Sequence, residues 1–185
     1  MEWATLKIHS IERGSYANGP GKRLVLWTQG CSIRCAGCWN PETHEDGGTL
    51  VTVGRILEEL VDGTYSGLTI TGGEPFDQAD AIFQLGATVK EKGFSSIVFS
   101  GFTYAVINRR HGLEKLTESF DVILSDPYTL QPDYESVIQA LSNKTVTFLT
   151  DRHNQGEFQL IPPCEVFIGR NGEVRLTGLS VPRID

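Results

Sequence analysis

The run LVLWTQGCSIRCAGCWN, Leu24 to Asn40, decides the fold. Leu24–Trp27 is short and apolar enough to be a strand buried on both faces. Immediately after it come Cys31, Cys35 and Cys38. In parallel α/β folds the chemistry gathers at the carboxyl ends of the strands, so a strand ending in three cysteines predicts that class.

Working outward, the same unit recurs. Leu68–Thr71 runs into Gly72 to Phe76, Ile97–Ser100 into Gly101-Phe102, Val122–Ser125 into Asp126-Pro127, and Thr145–Leu149 is a fifth strand. Helices lie between. The first has Thr52 as N-cap, carries Val53, Ile56, Leu57, Leu60 and Val61 on one face, and ends at Gly63. The second runs from Asp77 to Gly93 with Ile82, Leu85 and Val89 inward, and Thr103 and Asp133 cap two more. Strand–helix alternation implies parallel strands joined by right-handed crossovers. Five or so units are too few to close an eight-stranded barrel. The expected fold is α/β, an open, partial βα barrel of about five to six mostly parallel strands.

The tail differs. Glu165–Ile168 and Glu173–Thr177 flank Asn171-Gly172, a type I′ hairpin signal that extends the sheet edge or makes a small flap. No repeat or linker interrupts the chain. One domain is expected over residues 1–185, with its core at about 20–150 and a hairpin extension at about 160–180.

A chain of 185 residues, 39% hydrophobic, suits one domain with a real core and excludes the disordered class. Sixteen basic against 23 acidic residues give a formal charge of −7, which argues against nucleic-acid binding. The cluster Arg109, Arg110, His111 reads as a solvated helix end. No apolar run approaches the roughly 20 residues that span a bilayer, and MEWATLKIHS lacks a signal-peptide core, so the expected location is the cytoplasm, without membrane contact. Thiols stay reduced there, and clustered cysteines more often bind metal than pair.

Cys31, Cys35 and Cys38 lie within eight residues and can ligate three irons of a 4Fe-4S cubane, leaving the fourth iron as an open position. Two alternatives stand beside this. Cys164 completes a closed electron-transfer cluster or is a buried free thiol. His44 with the three cysteines makes a structural zinc site, or is a polar loop residue beside the site.

The spacing of these cysteines resembles the radical S-adenosylmethionine superfamily, and the likeness extends further. NGPGKRLVLWTQGC (Asn18 to Cys31) and CWNPETH (Cys38 to His44) are similar to glycyl-radical-enzyme activating enzymes. TGGEPF (Thr71 to Phe76) resembles that group's S-adenosylmethionine-binding motif, and SGFTY (Ser100 to Tyr104) and LSDPY (Leu124 to Tyr128) match its next strand ends. The resemblance covers roughly residues 5 to 150. Within the group it is nearest to the activating proteins of anaerobic ribonucleotide reductase, on three grounds: a short chain, no added ferredoxin-like cysteine clusters, and Gly37 before the third cysteine. Asn18 departs from a usual Asp, and Trp39 from a usual Tyr or His.

The resemblance implies two cofactors, a 4Fe-4S cluster and S-adenosyl-L-methionine. It implies reductive cleavage of the latter to a 5′-deoxyadenosyl radical, which abstracts hydrogen from a glycine of a partner glycyl radical enzyme. That partner is expected to be anaerobic ribonucleotide reductase, and the electron donor a flavodoxin- or ferredoxin-type protein. Gly72 and Gly73 let backbone approach the ligand closely, Glu74 pairs with the methionine ammonium, and Pro75 stiffens the turn. Gly37, Trp39 and Asn40 border the adenosine. Ser100 contacts ribose or carboxylate, or caps a turn. On the substrate side, Asn18 belongs to a turn at the cluster mouth. Arg23 binds a carboxylate or carbonyl, or is a solvated strand-edge residue. Asp126 lies near the radical, or is a cap. The competing expectations are a stand-alone radical enzyme modifying a small molecule or peptide, and a zinc-stabilised or electron-transfer module.

Overall fold

The computed structural model describes residues 2–129 and 144–178. Its centre is a seven-stranded sheet, built from β1 (Thr5–Ser15), β2 (Arg23–Thr28), β3 (Thr49–Thr52), β4 (Gly67–Gly72), β5 (Ser95–Phe99), β6 (Val122–Ser125) and β7 (Thr145–Phe148). The spatial order is β3-β1-β2-β4-β5-β6-β7. The neighbours β2–β4, β4–β5 and β5–β6 are parallel. Thus four of the five expected strands form a parallel centre, within two residues of their expected bounds.

Three features differ from the expectation. β1 and β3 are additional strands; β1 pairs antiparallel with β2 on one side and with β3 on the other. β1 mixes Lys7, His9, Glu12 and Arg13 into its apolar positions because much of it is only partly buried. β7 runs antiparallel to β6, from Val122↔Phe148 to Ser125↔Thr145, where a parallel strand is expected. Among the described residues the sheet is open, with β3 and β7 as its edges.

Side-chain alternation gives the sheet two different faces. Leu24 and Leu26, Leu68 and Ile70, Val98, and Ile123 face α1 (Val53–Asp62), α2 (Ala79–Glu91), α3 (Tyr104–His111) and α4 (Leu113–Ser119), meeting Ile56, Leu60, Ile82, Leu85 and Leu116 in one core. Each such fully buried side chain contributes about 1.5–3 kcal/mol over its exposed state. The opposite face carries Ile97, Val122 and Leu124, packed with Ile161 and with Phe158 of α5 (Gln155–Gln159).

The helix signals are realised locally. Thr52 accepts from the Arg55 N–H at 3.3 Å, and Thr103 from Val106 at 3.3 Å. Val61, expected inward, is 50% exposed on the outer side of α1. Pro75–Gln78 forms a 3-10 turn, so α2 begins at Ala79 rather than Asp77. Asp133, expected as a cap, lies outside the described residues. No helix among the described residues is long and apolar enough to cross a membrane.

The C-terminal segment forms its own two-stranded sheet, β8 (Cys164–Ile168) with β9 (Val174–Gly178), and so is a flap rather than a sheet extension. Its turn is not type I′, which needs two residues at positive φ. Only Gly172 is left-handed there, at φ 81°, and its N–H donates to the Gly169 carbonyl at 2.9 Å. This is a three-residue loop closed by a left-handed glycine.

Candidate active site

The carboxyl ends of β2, β4 and β5 open onto one pocket. Trp27, Thr71 and Phe99, the last side chains on the face of these strands turned away from α1–α4, line it. Cys31, Cys35 and Cys38 line it from the loop after β2. That loop is held by its own polar groups. The Gln29 side-chain amide donates to the carbonyls of Glu42 at 3.0 Å and Glu45 at 2.7 Å, and the Gly30 N–H to Thr43 at 2.8 Å. Ser32 gives its N–H and hydroxyl to the Asp77 carboxylate at 2.7 and 2.8 Å. Arg34 adopts φ 50° and pairs with Glu45 at 2.9 Å.

The donor set fits a 4Fe-4S cluster. All three sulfurs are half-buried on one pocket wall. Cys31 Sγ accepts from the Arg34 N–H at 3.5 Å and Cys38 Sγ from the Asn40 N–H at 3.4 Å, the type of contact that tunes iron–sulfur centres. Burial pushes the Cys38 thiol up; the Asn40 N–H opposes this, while Cys35, Cys31 and Glu42 reinforce it, so cationic irons would offset the cost of the thiolate. A zinc site with His44 requires four ligands converging on one point. Among the described residues no three His, Cys, Asp or Glu side chains are grouped to hold a single ion. A cubane instead takes its thiolates at separate irons.

Gly72 and Gly73 line the pocket, yet what forbids a side chain at either is protein backbone. A Cβ at Gly73 would collide with the Gly30 carbonyl oxygen, and one at Gly72, where φ is 104°, with Thr28. The backbone crossing is cemented by Gly73 N–H to Thr28 at 2.9 Å and Glu74 N–H to Gly30 at 2.9 Å. The glycine pair therefore seats the cysteine loop on β4.

Glu74 is buried at the pocket wall. Its carboxylate accepts from the Phe76 N–H at 3.0 Å, the Ser100 hydroxyl at 3.0 and 3.1 Å, and the Gly101 N–H at 2.8 Å. Burial outweighs these bonds and pushes it up to about 7. Trp39 and Asn40 also line the pocket, with Trp39 at the rim, 38% exposed.

Asn18 lines the pocket while only 3% exposed. Its amide donates to Ser15 Oγ at 2.8 Å and Thr177 Oγ1 at 2.7 Å, two bonds an Asp carboxylate could not donate. The same β1–β2 corner binds the flap through Glu165, which accepts from the Ser15 hydroxyl at 2.6 Å and the N–H groups of Tyr16 and Ala17 at 2.8 and 3.0 Å. Gly178, at the end of the flap, thereby joins the pocket wall.

Four expected site residues do not line the pocket. Gly37 is exposed at φ 70°, and Pro75 is buried under the turn after Glu74. Arg23 is fully buried at the opposite end of the strands, neither solvated nor part of the pocket lining. It donates to Pro20, Thr69, Ser95 and Leu68, and burial pulls it down to about 9. Asp126 receives the Thr145 N–H at 3.2 Å as a cap on β7. Cys164 pairs with Gly178 across the flap but does not line the pocket.

Ile33, Gly101, Tyr128 and Lys144 line the pocket without having been singled out as site residues from sequence, and His44, expected as a zinc ligand or a loop residue beside the site, lines it too. His44 brings a buried Nε2 with no protein partner. Lys144 donates from its ammonium to the carbonyls of Ser100, at 3.1 Å, and Asp126. Burial lowers its pKa, opposed by Cys35, Glu74, Asp126 and Cys38. A lone lysine before a short strand carries no sequence signal; the neighbouring Asp126-Pro127 turn was the readable part.

A family model described as "4Fe-4S single cluster domain" matches residues 17–147. The pyruvate formate-lyase-activating enzyme of Streptococcus mutans is 32% identical over 158 residues, spanning 78% of this chain and 59% of that protein. The enzyme of the same name from Staphylococcus aureus is 34% identical over 130 residues, 64% of this chain and 51% of that protein. The chain thus spans between half and three-fifths of the length of these relatives. Among solved structures, QueE from Escherichia coli aligns with a TM-score of 0.46 at 19% identity, over 54% of this chain and 53% of that one.

Proposed function

The chain belongs to the 4Fe-4S single cluster domain family, and from that premise we propose that it is a radical S-adenosylmethionine enzyme that activates a glycyl radical enzyme. One observation carries this: three cysteines, joined there by no fourth sulfur among the described residues, line a pocket that also holds a buried carboxylate, Glu74. Three thiolates hold a cluster and leave one iron for the amino-acid end of the nucleoside. The chemistry the cluster supplies when bound is one electron to the sulfonium of S-adenosylmethionine, whose cleavage provides a 5′-deoxyadenosyl radical for hydrogen abstraction.

The chain's own residues bind and orient. Cys31, Cys35 and Cys38 are held by a loop seated on Gly72 and Gly73. Glu74 offers a carboxylate to the methionine ammonium, fixed by Ser100 and the Gly101 N–H. Trp27 and Phe99 give the pocket wall an apolar surface that excludes water, and Trp39 covers the rim. Asn18 and Gly178 border the mouth on the flap side, where a peptide loop bearing the target glycine would enter.

Two target proteins have support. Gly37 before the third cysteine favours anaerobic ribonucleotide reductase. The names of the relatives favour pyruvate formate-lyase. A flavodoxin- or ferredoxin-type protein is the proposed electron donor. The test is electron spin resonance after anaerobic incubation of reconstituted protein, reductant and S-adenosylmethionine with each target in turn. A glycine-centred doublet in one mixture identifies the partner. Turnover to 5′-deoxyadenosine with no doublet in either would redirect the assignment to a stand-alone enzyme acting on a small molecule or peptide.

A further inference from the structure

His44 lines the pocket together with all three cysteines, and the roles assigned above leave it unused. The residue is half-buried, yet its Nε2 is closed to solvent and meets no hydrogen-bond partner among the described residues. A buried polar atom left in that state costs about 1–3 kcal/mol, and in a native chain it calls for a partner that binds there. Solvent does not reach the atom, so the partner has to be a group that occupies the pocket.

The hydrogen bonds around His44 favour one such group. His44 closes the 3-10 turn Pro41–Thr43, donating its N–H to the Pro41 carbonyl at 3.1 Å. On one side, Thr43 gives its N–H and hydroxyl to the Asn40 carbonyl at 3.0 and 2.7 Å, and Asn40 gives its own N–H to Cys38 Sγ at 3.4 Å. On the other, the Arg34 guanidinium donates to the His44 carbonyl at 3.4 Å, and the Arg34 N–H meets Cys31 Sγ at 3.5 Å. The turn is thus tied on both sides to residues whose N–H groups already reach sulfur. Cluster sulfides and thiolates only accept, and an imidazole with its hydrogen on Nε2 donates there. We propose that His44 is a third such donor, its Nε2–H reaching a sulfur of the iron–sulfur cluster and making that cluster easier to reduce. This rests on the function proposed above. The sign follows from charge: a hydrogen bond strengthens as the sulfur it meets becomes more negative, so it favours the reduced cluster over the oxidised one.

The test is a reductive titration of anaerobically reconstituted protein without S-adenosylmethionine, read by the electron spin resonance of the reduced cluster. His44→Phe keeps a flat ring and removes the donor, while His44→Gln keeps an N–H. Far-ultraviolet circular dichroism and iron content matched to the unaltered protein establish that each is folded and loaded, and His44→Leu replaces His44→Phe where the latter fails that match. At a fixed potential the ratio of reduced to oxidised cluster should fall about tenfold in the apolar variant, equivalent to about 59 mV for a one-electron couple. His44→Gln should stay within about threefold of the unaltered protein. No change in the apolar variant, or the same fall in both variants, overturns the assignment of His44. So does a fall that appears only once S-adenosylmethionine is added, which would place Nε2 on the nucleoside. Loss of iron from the folded apolar variants overturns it too, by making His44 a ligand. Failure of the unaltered protein to take up iron and sulfide overturns the reading on which the assignment rests.

Discussion

Ser100 donates its hydroxyl to both oxygens of the Glu74 carboxylate, at 3.0 and 3.1 Å, tying the end of β5 to the turn after β4. The Gly-Gly-Glu segment is therefore completed by a residue 26 positions later.

Ser100→Ala removes the only side-chain donor among the bonds to Glu74 and leaves a buried carboxylate with two N–H donors. Losing a hydrogen bond to a buried charged group costs about 1.5–3 kcal/mol. Urea unfolding of the cluster-free protein at pH 8 should show a loss in that range. A loss under about 0.5 kcal/mol, the size of an unremarkable surface change, would mean that Ser100 does not support Glu74.

The pH dependence of Glu74 has a definite sign. Burial raises it from 4.5 to about 7, so the folded chain keeps a proton that the unfolded chain releases. Stability linked to this group is complete below about pH 4.5 and is lost as pH rises through 7, by on the order of 3 kcal/mol. Glu74→Gln cannot titrate. Its stability relative to the unaltered cluster-free protein should improve from pH 5 to about pH 7 and level off above it. The reverse trend would show that Lys144 already holds Glu74 ionised.

The parallel centre was legible because β2, β4, β5 and β6 are buried on both faces and so are almost uninterrupted apolar runs. β1 was not, because its charged residues and half-burial break the pattern. The direction of β7 was not, because Thr145–Phe148 reads the same whichever way it pairs. At the site, the three cysteines, Glu74 and Asn18 were legible from motif and resemblance. The reason for Asn18 was not, since Thr177 lies 159 residues away. The glycine pair was legible as a motif, whereas the backbone packing of Gly72 against Thr28 and of Gly73 against Gly30 was not.

That packing is testable. Gly73→Ala drives a methyl group into the Gly30 carbonyl, and neither backbone can yield without moving the cysteine loop. It should cost about 2–3 kcal/mol and lower iron and sulfide uptake together. Gly93 provides the comparison: φ is 86° but nothing lies within 4 Å of an added Cβ. Gly93→Ala should cost about 1–2 kcal/mol, from backbone conformation alone, with uptake unchanged. Thermal unfolding and metal analysis on both variants separate the two causes.

Ligand identity is tested by two cysteine variants. Cys35→Ala removes one of three sulfurs at the pocket and should leave reconstituted protein without its brown iron–sulfur absorbance. Cys164→Ala alters a half-buried thiol of the flap and should retain iron and sulfide near the unaltered level. Loss of the chromophore in the Cys164 variant would make it the fourth ligand and close the site.

Glu165 is the anchor of the flap, with three donors from Ser15, Tyr16 and Ala17 converging on one carboxylate oxygen. The outward side chains Val166, Ile168, Val174 and Leu176 are all exposed, so little apolar burial compensates when the anchor goes. Glu165→Ala should therefore release the hairpin locally while the sheet and the cysteine loop, whose bonds it does not share, stay folded. Limited proteolysis should cut within 161–173 at least about tenfold faster, the ratio expected for loss of about 1.4 kcal/mol of local stability. Iron uptake should be unchanged. An unaltered cleavage rate would show that Asn18–Thr177 and Arg175–Glu12, at 2.7 Å each, hold the flap without Glu165.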